Sequence, residues 1–172
     1  MKQLPCEEML NKDELHAIGA VAVESSSLEN LIELLIFFTL DFDPDKDEFE
    51  FGEIITDRYQ LDGKLSLLRE LVYIRIKDAA LREKFKAIFD EISDLISRRN
   101  TVIHGEWMRQ HLLPGGRPPI VTRHKRTQKN IIKIPADKVM DLAYRLAKAH
   151  ENLWALYERH MRVLSPSPRK AF

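Results

Sequence analysis

The segment from Phe85 to Gly105 most strongly limits what this chain can fold into. Counting back from Ile103, apolar side chains recur every three or four residues, which is the spacing of an amphipathic helix: Phe85, Ile88, Phe89, Ile92, Leu95 and Ile96. The next position of this apolar stripe is Arg99. A guanidinium group on an apolar stripe costs free energy unless it is paired or meets an anion. Because local sequence rules tend to fail at functional sites, this helix end is the first place to look for one.

The same periodicity predicts four long helices, at about residues 11–40, 61–76, 79–104 and 135–162. Asn11 or Asp13 can cap the first helix, and Pro135 sits just inside the start of the last one. Helices of this kind bury their apolar stripes most economically by packing antiparallel. We therefore expect an all-α fold, an antiparallel bundle of four to five helices that forms a single domain over residues 1–164.

A polar stretch interrupts the apolar stripe of the first helix. Ser25 falls on the face of that helix that the apolar stripe predicts to be buried, with Glu24 beside it and Ser27 two positions further on. Two interpretations stay open: a polar cluster that faces another element, with Glu24 and Ser27 as supporting residues, or a crossing point where small residues let two helices approach closely.

Between the third and fourth helices the pattern changes. Pro114-Gly115-Gly116 is a strong turn signal, and β-branched residues such as Val121 and Ile131 follow it. This predicts a small β-hairpin inserted at about residues 106–134, before the last long helix. The tail at residues 165–172 is expected to be disordered.

The charge distribution is uneven although the formal net charge is zero, with 27 basic and 27 acidic residues. Residues 41–53 are strongly acidic, whereas residues 111–133 hold no acid and carry the basic residues Arg117, Arg123, Lys125, Arg126, Lys129 and Lys133. Most runs of this kind are solvated loops, but a basic one can also contact phosphates.

Composition excludes several classes of protein. A lone Cys6 excludes a disulfide framework and a Cys-rich zinc site, and it fits a reducing compartment. Residues 1–14 lack the apolar run of a signal peptide, and the apolar stretch at 28–40 is too short to span a bilayer. No pair of histidines has a convincing metal-ligand spacing. We expect a cytoplasmic protein without a membrane partner, a metal or another cofactor.

The end of the third helix carries the residues best suited to chemistry. Asn100 and His104 are four residues apart and therefore share one helix face. Arg99 lies about 140° around the helix from His104, at roughly 100° per residue. Guanidinium and imidazole can then meet one anion only if the long Arg99 side chain folds back, or if an arginine comes from a second subunit. Gly105 is expected to end the helix.

An arginine, an amide and a histidine, whose ordinary pKa is about 6.5, suit phosphodiester cleavage without a metal. The 2′-hydroxyl of RNA would be the nucleophile and His104 the general base or acid, while Arg99 would stabilise charge on the phosphoryl oxygens. Asn100 would orient the phosphate or the imidazole. The spacing alone is weak support, because Arg145 and His150 repeat it. His150 lies on a core stripe, where an interior hydrogen-bonded histidine is the simpler interpretation.

The run Arg99-Asn100-x-x-x-His104, at the end of the third long helix of such a bundle, resembles the motif of the HEPN superfamily. Its members carry an Arg-x(4–6)-His motif, often with a polar residue directly after the arginine. The resemblance covers about residues 12–162, and Ile103-His104-Gly105-x-Trp107 is also similar to bacterial proteins of HEPN type. It implies a homodimer whose two motifs share a cleft, and a metal-independent endoribonuclease that acts as a toxin or in antiviral defence.

Two functions remain open at this point. In the first, Arg99, Asn100 and His104 cleave RNA, and Arg98 together with Arg123, Lys125 and Arg126 of the insertion contacts its phosphates. In the second, the chain is a non-catalytic HEPN-like dimer that binds a nucleotide, RNA or a protein partner. The basic insertion fits RNA and equally fits a neutralising antitoxin or a regulatory protein.

Overall fold

The computed structural model describes residues 10–40, 55–108, 120–125 and 128–160 of the 172-residue chain, with side chains at 10–40, 55–105 and 134–160. Within these ranges the helices are α1 (Lys12–Thr39), α2 (Leu61–Arg75), α3 (Ala79–His104) and α4 (Ala136–His160). These helices form a bundle, which confirms the helical part of the fold class predicted from the apolar periodicity. Across these ranges, no helix combines the length and the apolar character that crossing a membrane requires.

Side-chain caps mark the starts of α1 and α3. At the start of α1, the amide of Glu14 donates to Asn11 Oδ1 at 2.9 Å, and the amide of Asn11 donates to Glu14 Oε2 at 2.7 Å. This reciprocal pair is a capping box, and it selects Asn11 over Asp13 as the cap. Asp78 serves the same purpose for α3, because its Oδ1 accepts a hydrogen bond from the amide of Ala80 at 2.8 Å.

The backbone between α3 and α4 contains three short strands, β1 (Glu106–Met108), β2 (Ile120–Lys125) and β3 (Gln128–Lys133). They pair antiparallel in the order β1-β2-β3, with Trp107 opposite Val121 and Thr122 opposite Ile131. Residues 109–119 and 126–127, and the side chains of 106–133, lie outside the described part of the chain. The predicted hairpin insertion with its basic side therefore stays a prediction.

Internal contacts divide the chain into two compact units, each built from segments that are distant in sequence. The first unit contains the described parts of residues 1–25 and 95–146, and the second contains those of 26–94 and 147–172. The expectation of a single domain over 1–164 stays a prediction, and the tail at 165–172 lies outside the described residues.

In the second unit, α1 and α2 run in the same general direction. Lys64 on α2 bonds to Glu29 and Glu33 on α1, and Arg75 Nη2 donates to the carbonyl of Thr39 at 2.7 Å. The partners of these bonds are 35, 31 and 36 residues apart in sequence. The separation stays nearly constant along two parallel helices, whereas it would change steadily along an antiparallel pair. This pair departs from the predicted antiparallel arrangement. The connection at residues 40–60 is long enough for the chain to return before α2 begins.

By contrast, α2 and α3 form an antiparallel pair joined by residues 76–78. Arg69 near the middle of α2 bonds to Asp90 at 3.0 Å and lies 5.7 Å from the ring centroid of Phe89. At the connection, Arg82 Nε donates to the carbonyl of Ile76 at 2.8 Å. This bond occupies a carbonyl at the end of α2 that has no partner within that helix.

Most positions of the predicted apolar stripes are buried. The fully buried large side chains include Leu28, Ile32, Leu35, Leu68, Phe85, Phe89, Ile92, Leu95, Leu146 and Leu153. His150, which was expected in the interior, is only half-buried, and the adjacent Ala149 is buried instead. This is a shift by one residue, about 100° on a helix, which a stripe drawn from spacing alone does not resolve.

Candidate functional site at the end of α3

The side chain of Arg99 folds back over the last turn of α3. Its Nη1 lies 3.1 Å from His104 Nε2 and donates to Asn100 Oδ1 at 3.0 Å. Its Nε donates to Ser25 Oγ on α1 at 3.4 Å. The guanidinium group, amide and imidazole that the sequence singled out therefore meet within one chain. The 140° offset left two ways for guanidinium and imidazole to meet, and the structure shows the first, in which the Arg99 side chain folds back within one chain.

The contact between Arg99 and His104 fixes a chemical role for the imidazole nitrogen. A guanidinium has only donors, so a hydrogen bond of Nη1 to Nε2 requires Nε2 to be the acceptor. The imidazole in this arrangement is neutral, with its hydrogen on Nδ1 and its lone pair on Nε2. His104 is exposed, so a substrate that moves the guanidinium aside finds a basic nitrogen at the surface.

Asn100 contacts the guanidinium rather than the imidazole. Its Oδ1 accepts from Arg99 Nη1, and its side chain is half-buried, as is that of Arg99. The sequence allowed Asn100 to orient either a phosphate or the imidazole. The observed bond gives it a different role, because it holds Arg99 next to His104.

Ser25 ties this cluster to α1. Its side chain is only 1% exposed, and its hydroxyl donates to the carbonyl of Ala22 at 3.0 Å while it accepts from Arg99 Nε. Of the two interpretations of the polar stretch in α1, the structure supports the polar cluster that faces another helix. Ser27 is exposed and Glu24 is half-buried, and neither forms a hydrogen bond to the described residues of the cluster.

The cluster holds Arg99 without neutralising its charge. Its three partners, a serine hydroxyl, an amide oxygen and an imidazole nitrogen, are all neutral acceptors. Among the side chains that the structure describes, no carboxylate lies within ion-pair distance of Arg99. Arg99 thus has hydrogen-bond partners but, among the described side chains, no counter-charge.

The Arg99 guanidinium also has donors to spare. Nε and Nη1 carry all of its hydrogen bonds to described residues, and this leaves both N–H groups of Nη2 without a partner in those ranges. A positive group with two open donors beside a neutral histidine is suited to an oxyanion such as a phosphodiester.

Of the other candidate residues, the structure describes one side chain and the backbone of two more. Arg98 is exposed on α3, one position before Arg99. Arg123 and Lys125 lie on β2, where the backbone alone is described, and Arg126 lies outside the described residues. Their predicted contacts with RNA stay predictions.

A second charged cluster, in the second unit, was not anticipated from the sequence. Lys64 is 7% exposed, and its Nζ bonds to Glu29 Oε1 at 2.6 Å and to Glu33 Oε1. Burial by itself lowers the pKa of Lys64, but the hydrogen bonds and charges of Glu29 and Glu33 outweigh it and raise the pKa above its ordinary value. The signal was available, since Lys64 lies between Leu61 and Leu68 on the apolar stripe of α2.

No family model, no curated protein and no solved structure matches this chain. Among the residues that the structure describes, no three His, Cys, Asp or Glu side chains form a group that could hold a metal ion.

Proposed function

We propose that this protein is a metal-independent endoribonuclease of HEPN type, with Arg99 and His104 as its catalytic residues. The observation that supports it best is the geometry of the Arg99 side chain. Its guanidinium is fixed by neutral acceptors, keeps its charge and two open donors, and lies 3.1 Å from the exposed imidazole of His104. Phosphoryl transfer needs a cation for the phosphate and a base for the nucleophile, and this helix end supplies both.

The reaction begins when a phosphate of RNA binds Arg99. A phosphate oxygen is a stronger acceptor for a guanidinium than a neutral imidazole is, because charge-assisted hydrogen bonds are stronger than neutral ones. The phosphate therefore draws Nη1 away from His104 Nε2 and frees its lone pair. Binding of the substrate and exposure of the base are then one event.

His104 Nε2 next takes the proton of the ribose 2′-hydroxyl, and the 2′-oxygen attacks the adjacent phosphorus. The bond between phosphorus and the 5′-oxygen breaks, and that oxygen takes a proton from the imidazolium or from water. The products are a 2′,3′-cyclic phosphate and a 5′-hydroxyl end. Arg99 stabilises the additional negative charge on the phosphoryl oxygens during this step.

The remaining expectations belong to this proposal. A homodimer would bring two copies of the Arg99–His104 pair to a shared cleft, although one chain suffices to form each pair. The hairpin insertion, through Arg123, Lys125 and Arg126, would contact RNA phosphates or an antitoxin. A role as a toxin or in antiviral defence follows from the same resemblance, whereas the expected cytoplasmic location comes from the lone Cys6 and the pattern of apolar residues.

The decisive experiment is an RNase assay in EDTA that compares wild type with Arg99→Ala and His104→Ala. We expect cleavage to leave cyclic phosphate ends and to fall by about 100- to 1,000-fold in each variant, the usual cost of removing a general base or a charge-stabilising group. Product ends are identified by phosphatase and kinase treatment followed by mass spectrometry.

The matched controls are Arg145→Ala and His150→Ala on α4, which repeat the same spacing at half-buried positions. They should retain cleavage within a few-fold if they fold, as circular dichroism and thermal unfolding will show. If the folded wild-type protein cleaves no RNA but binds it, and Arg99→Ala abolishes that binding, the non-catalytic binding module is the correct function.

A further inference from the structure

We infer that Ser25 is the positioning residue of this site, and that it directs the Nη2 edge of Arg99 towards the phosphate. This inference rests on the proposed function for its phosphate substrate, but the geometry behind it is independent of catalysis. Ser25 is 74 residues from Arg99 in sequence and is the one described side chain outside α3 that bonds to the guanidinium.

A guanidinium on a long, flexible side chain needs two fixed points to have a defined orientation. Asn100 and His104 hold Nη1 at one corner, where the group can still rotate about that nitrogen. Ser25 holds Nε at a second corner and so fixes the plane of the group. The third corner, Nη2, is then the one left for a ligand.

Ser25 is itself held in place. At 1% exposure its hydroxyl is shielded from water, and its hydrogen is committed to the Ala22 carbonyl at 3.0 Å. The oxygen therefore presents its lone pairs, and an N–H group of Arg99 satisfies one of them at 3.4 Å. A hydrogen bond of this length is weak, so Ser25 contributes orientation more than binding energy.

This arrangement makes a distinct prediction about substrate contacts. With Nε committed to Ser25, the side-on fork of Nε and Nη2 is unavailable to the phosphate as long as that bond lasts. The phosphate engages Nη2, and then Nη1 as it leaves His104. Loss of Ser25 would free Nε and let the guanidinium turn, so RNA would still bind but would be held in unproductive orientations.

The test replaces Ser25 with Ala and with Thr in the full-length protein, and uses exposed Ser26→Ala as the matched control. Ala removes the acceptor, whereas Thr keeps a hydroxyl on the same backbone position. We expect Ser25→Ala to lower kcat about three- to tenfold with little change in KM, Ser25→Thr to restore most of it, and Ser26→Ala to match wild type. Thermal unfolding verifies that each variant is folded.

A second measurement does not depend on catalysis. In the NMR spectrum of wild-type protein, the Nε–H resonance of Arg99 should be protected from exchange and should persist when inorganic phosphate is added. In Ser25→Ala it should be lost to exchange, while Ser26→Ala retains it. If Ser25→Ala keeps the wild-type Nε–H resonance and wild-type kcat, Ser25 does not position Arg99. If wild type has no RNase activity, the proposed function fails, but the Nε–H comparison still decides the role of Ser25.

Discussion

Lys64 and Arg99 occupy equivalent places in their helices but have opposite surroundings. Each is a basic residue on an apolar stripe, and each reaches a partner on α1. Lys64 meets two carboxylates, so its charge is more than balanced and the cluster keeps one net negative charge. Arg99 meets a hydroxyl, an amide oxygen and an imidazole, so its hydrogen bonds are satisfied but its charge is not.

The difference shows what a charged residue on a core stripe can signify. A cation that is neutralised inside the protein stabilises a helix pair and has little affinity left for a ligand anion. A cation that is held by neutral groups keeps its electrostatic attraction for an anion and is already oriented to receive one. Under the proposed function, the partners of the residue, rather than its position on the stripe, separate a structural cation from a catalytic one.

The largest effect on stability is expected for Lys64→Met. It leaves Glu29 and Glu33 close together without a counter-charge, which should lower the free energy of unfolding by about 2–3 kcal/mol, since breaking a largely buried ion cluster is strongly destabilising. Arg99→Met leaves only neutral acceptors behind and should cost about 1 kcal/mol. Urea unfolding monitored by circular dichroism measures both.

The triple variant Lys64→Met, Glu29→Gln, Glu33→Gln is the control for this comparison. It removes the unbalanced carboxylates and should recover most of the lost stability. Equal destabilisation by Lys64→Met and Arg99→Met would show that the two clusters do not differ in the way proposed.

Asn100→Asp should convert the Arg99 site into one that resembles the Lys64 cluster. A carboxylate would then replace the amide oxygen 3.0 Å from Arg99 Nη1 and compete with phosphate for the guanidinium. We expect kcat/KM for RNA to fall about tenfold, which corresponds to about 1.4 kcal/mol of transition-state binding, while the protein unfolds at the same or a higher temperature. Asn30→Asp, an exposed position on α1, adds the same charge elsewhere and serves as the control. Unchanged cleavage in Asn100→Asp would mean that the neutral surroundings of Arg99 are irrelevant to function.

A smaller effect is expected from alkaline pH. The pKa of Lys64 is raised in the folded protein above its ordinary value of 10.5, so the folded state holds this proton more tightly than the unfolded state does. The stabilisation is fully present below about pH 10.5 and is lost as the pH rises through the raised pKa, with a slope of at most about 1.4 kcal/mol per pH unit. Unfolding free energies of wild type and Lys64→Met between pH 8 and 12 should converge at the alkaline end. A gap that stays constant would contradict the ion-pair origin of the stabilisation.

The helices and the polar cluster at the end of α3 could be predicted from sequence because both depend on local patterns. Asn11 and Gly105 mark helix ends through backbone chemistry that operates within a few residues, and Arg99 breaks a stripe that is visible in one helix. The same rule applied to Lys64 would have suggested a second functional site. Only the fold reveals that Glu29 and Glu33 lie within reach of it, since those partners are 35 and 31 residues away.

The direction of α2 and the partner of Arg99 could not be predicted for a related reason. Short connections favour antiparallel neighbours, but residues 40–60 permit either direction, and no local pattern chooses between them. Likewise, the position of Ser25 on the buried face of α1 indicated that it packs against another element. That this element carries Arg99, 74 residues away, depends on how the helices pack. Spacing within one helix is encoded locally, whereas contacts between helices are not.

The parallel course of α1 and α2 has a consequence for the entropy of assembling the fold. Helices α2 and α3 meet after a connection at residues 76–78, so their pairing closes a very short loop. Joining α1 to α2 must close the longer segment at residues 40–60, and the loss of chain entropy grows with the length of the loop. The Lys64 cluster connects α1 and α2, the pair whose loop closure loses more chain entropy. Its charges therefore tie together two helices whose pairing gains less from chain connectivity than the pairing of α2 and α3 does.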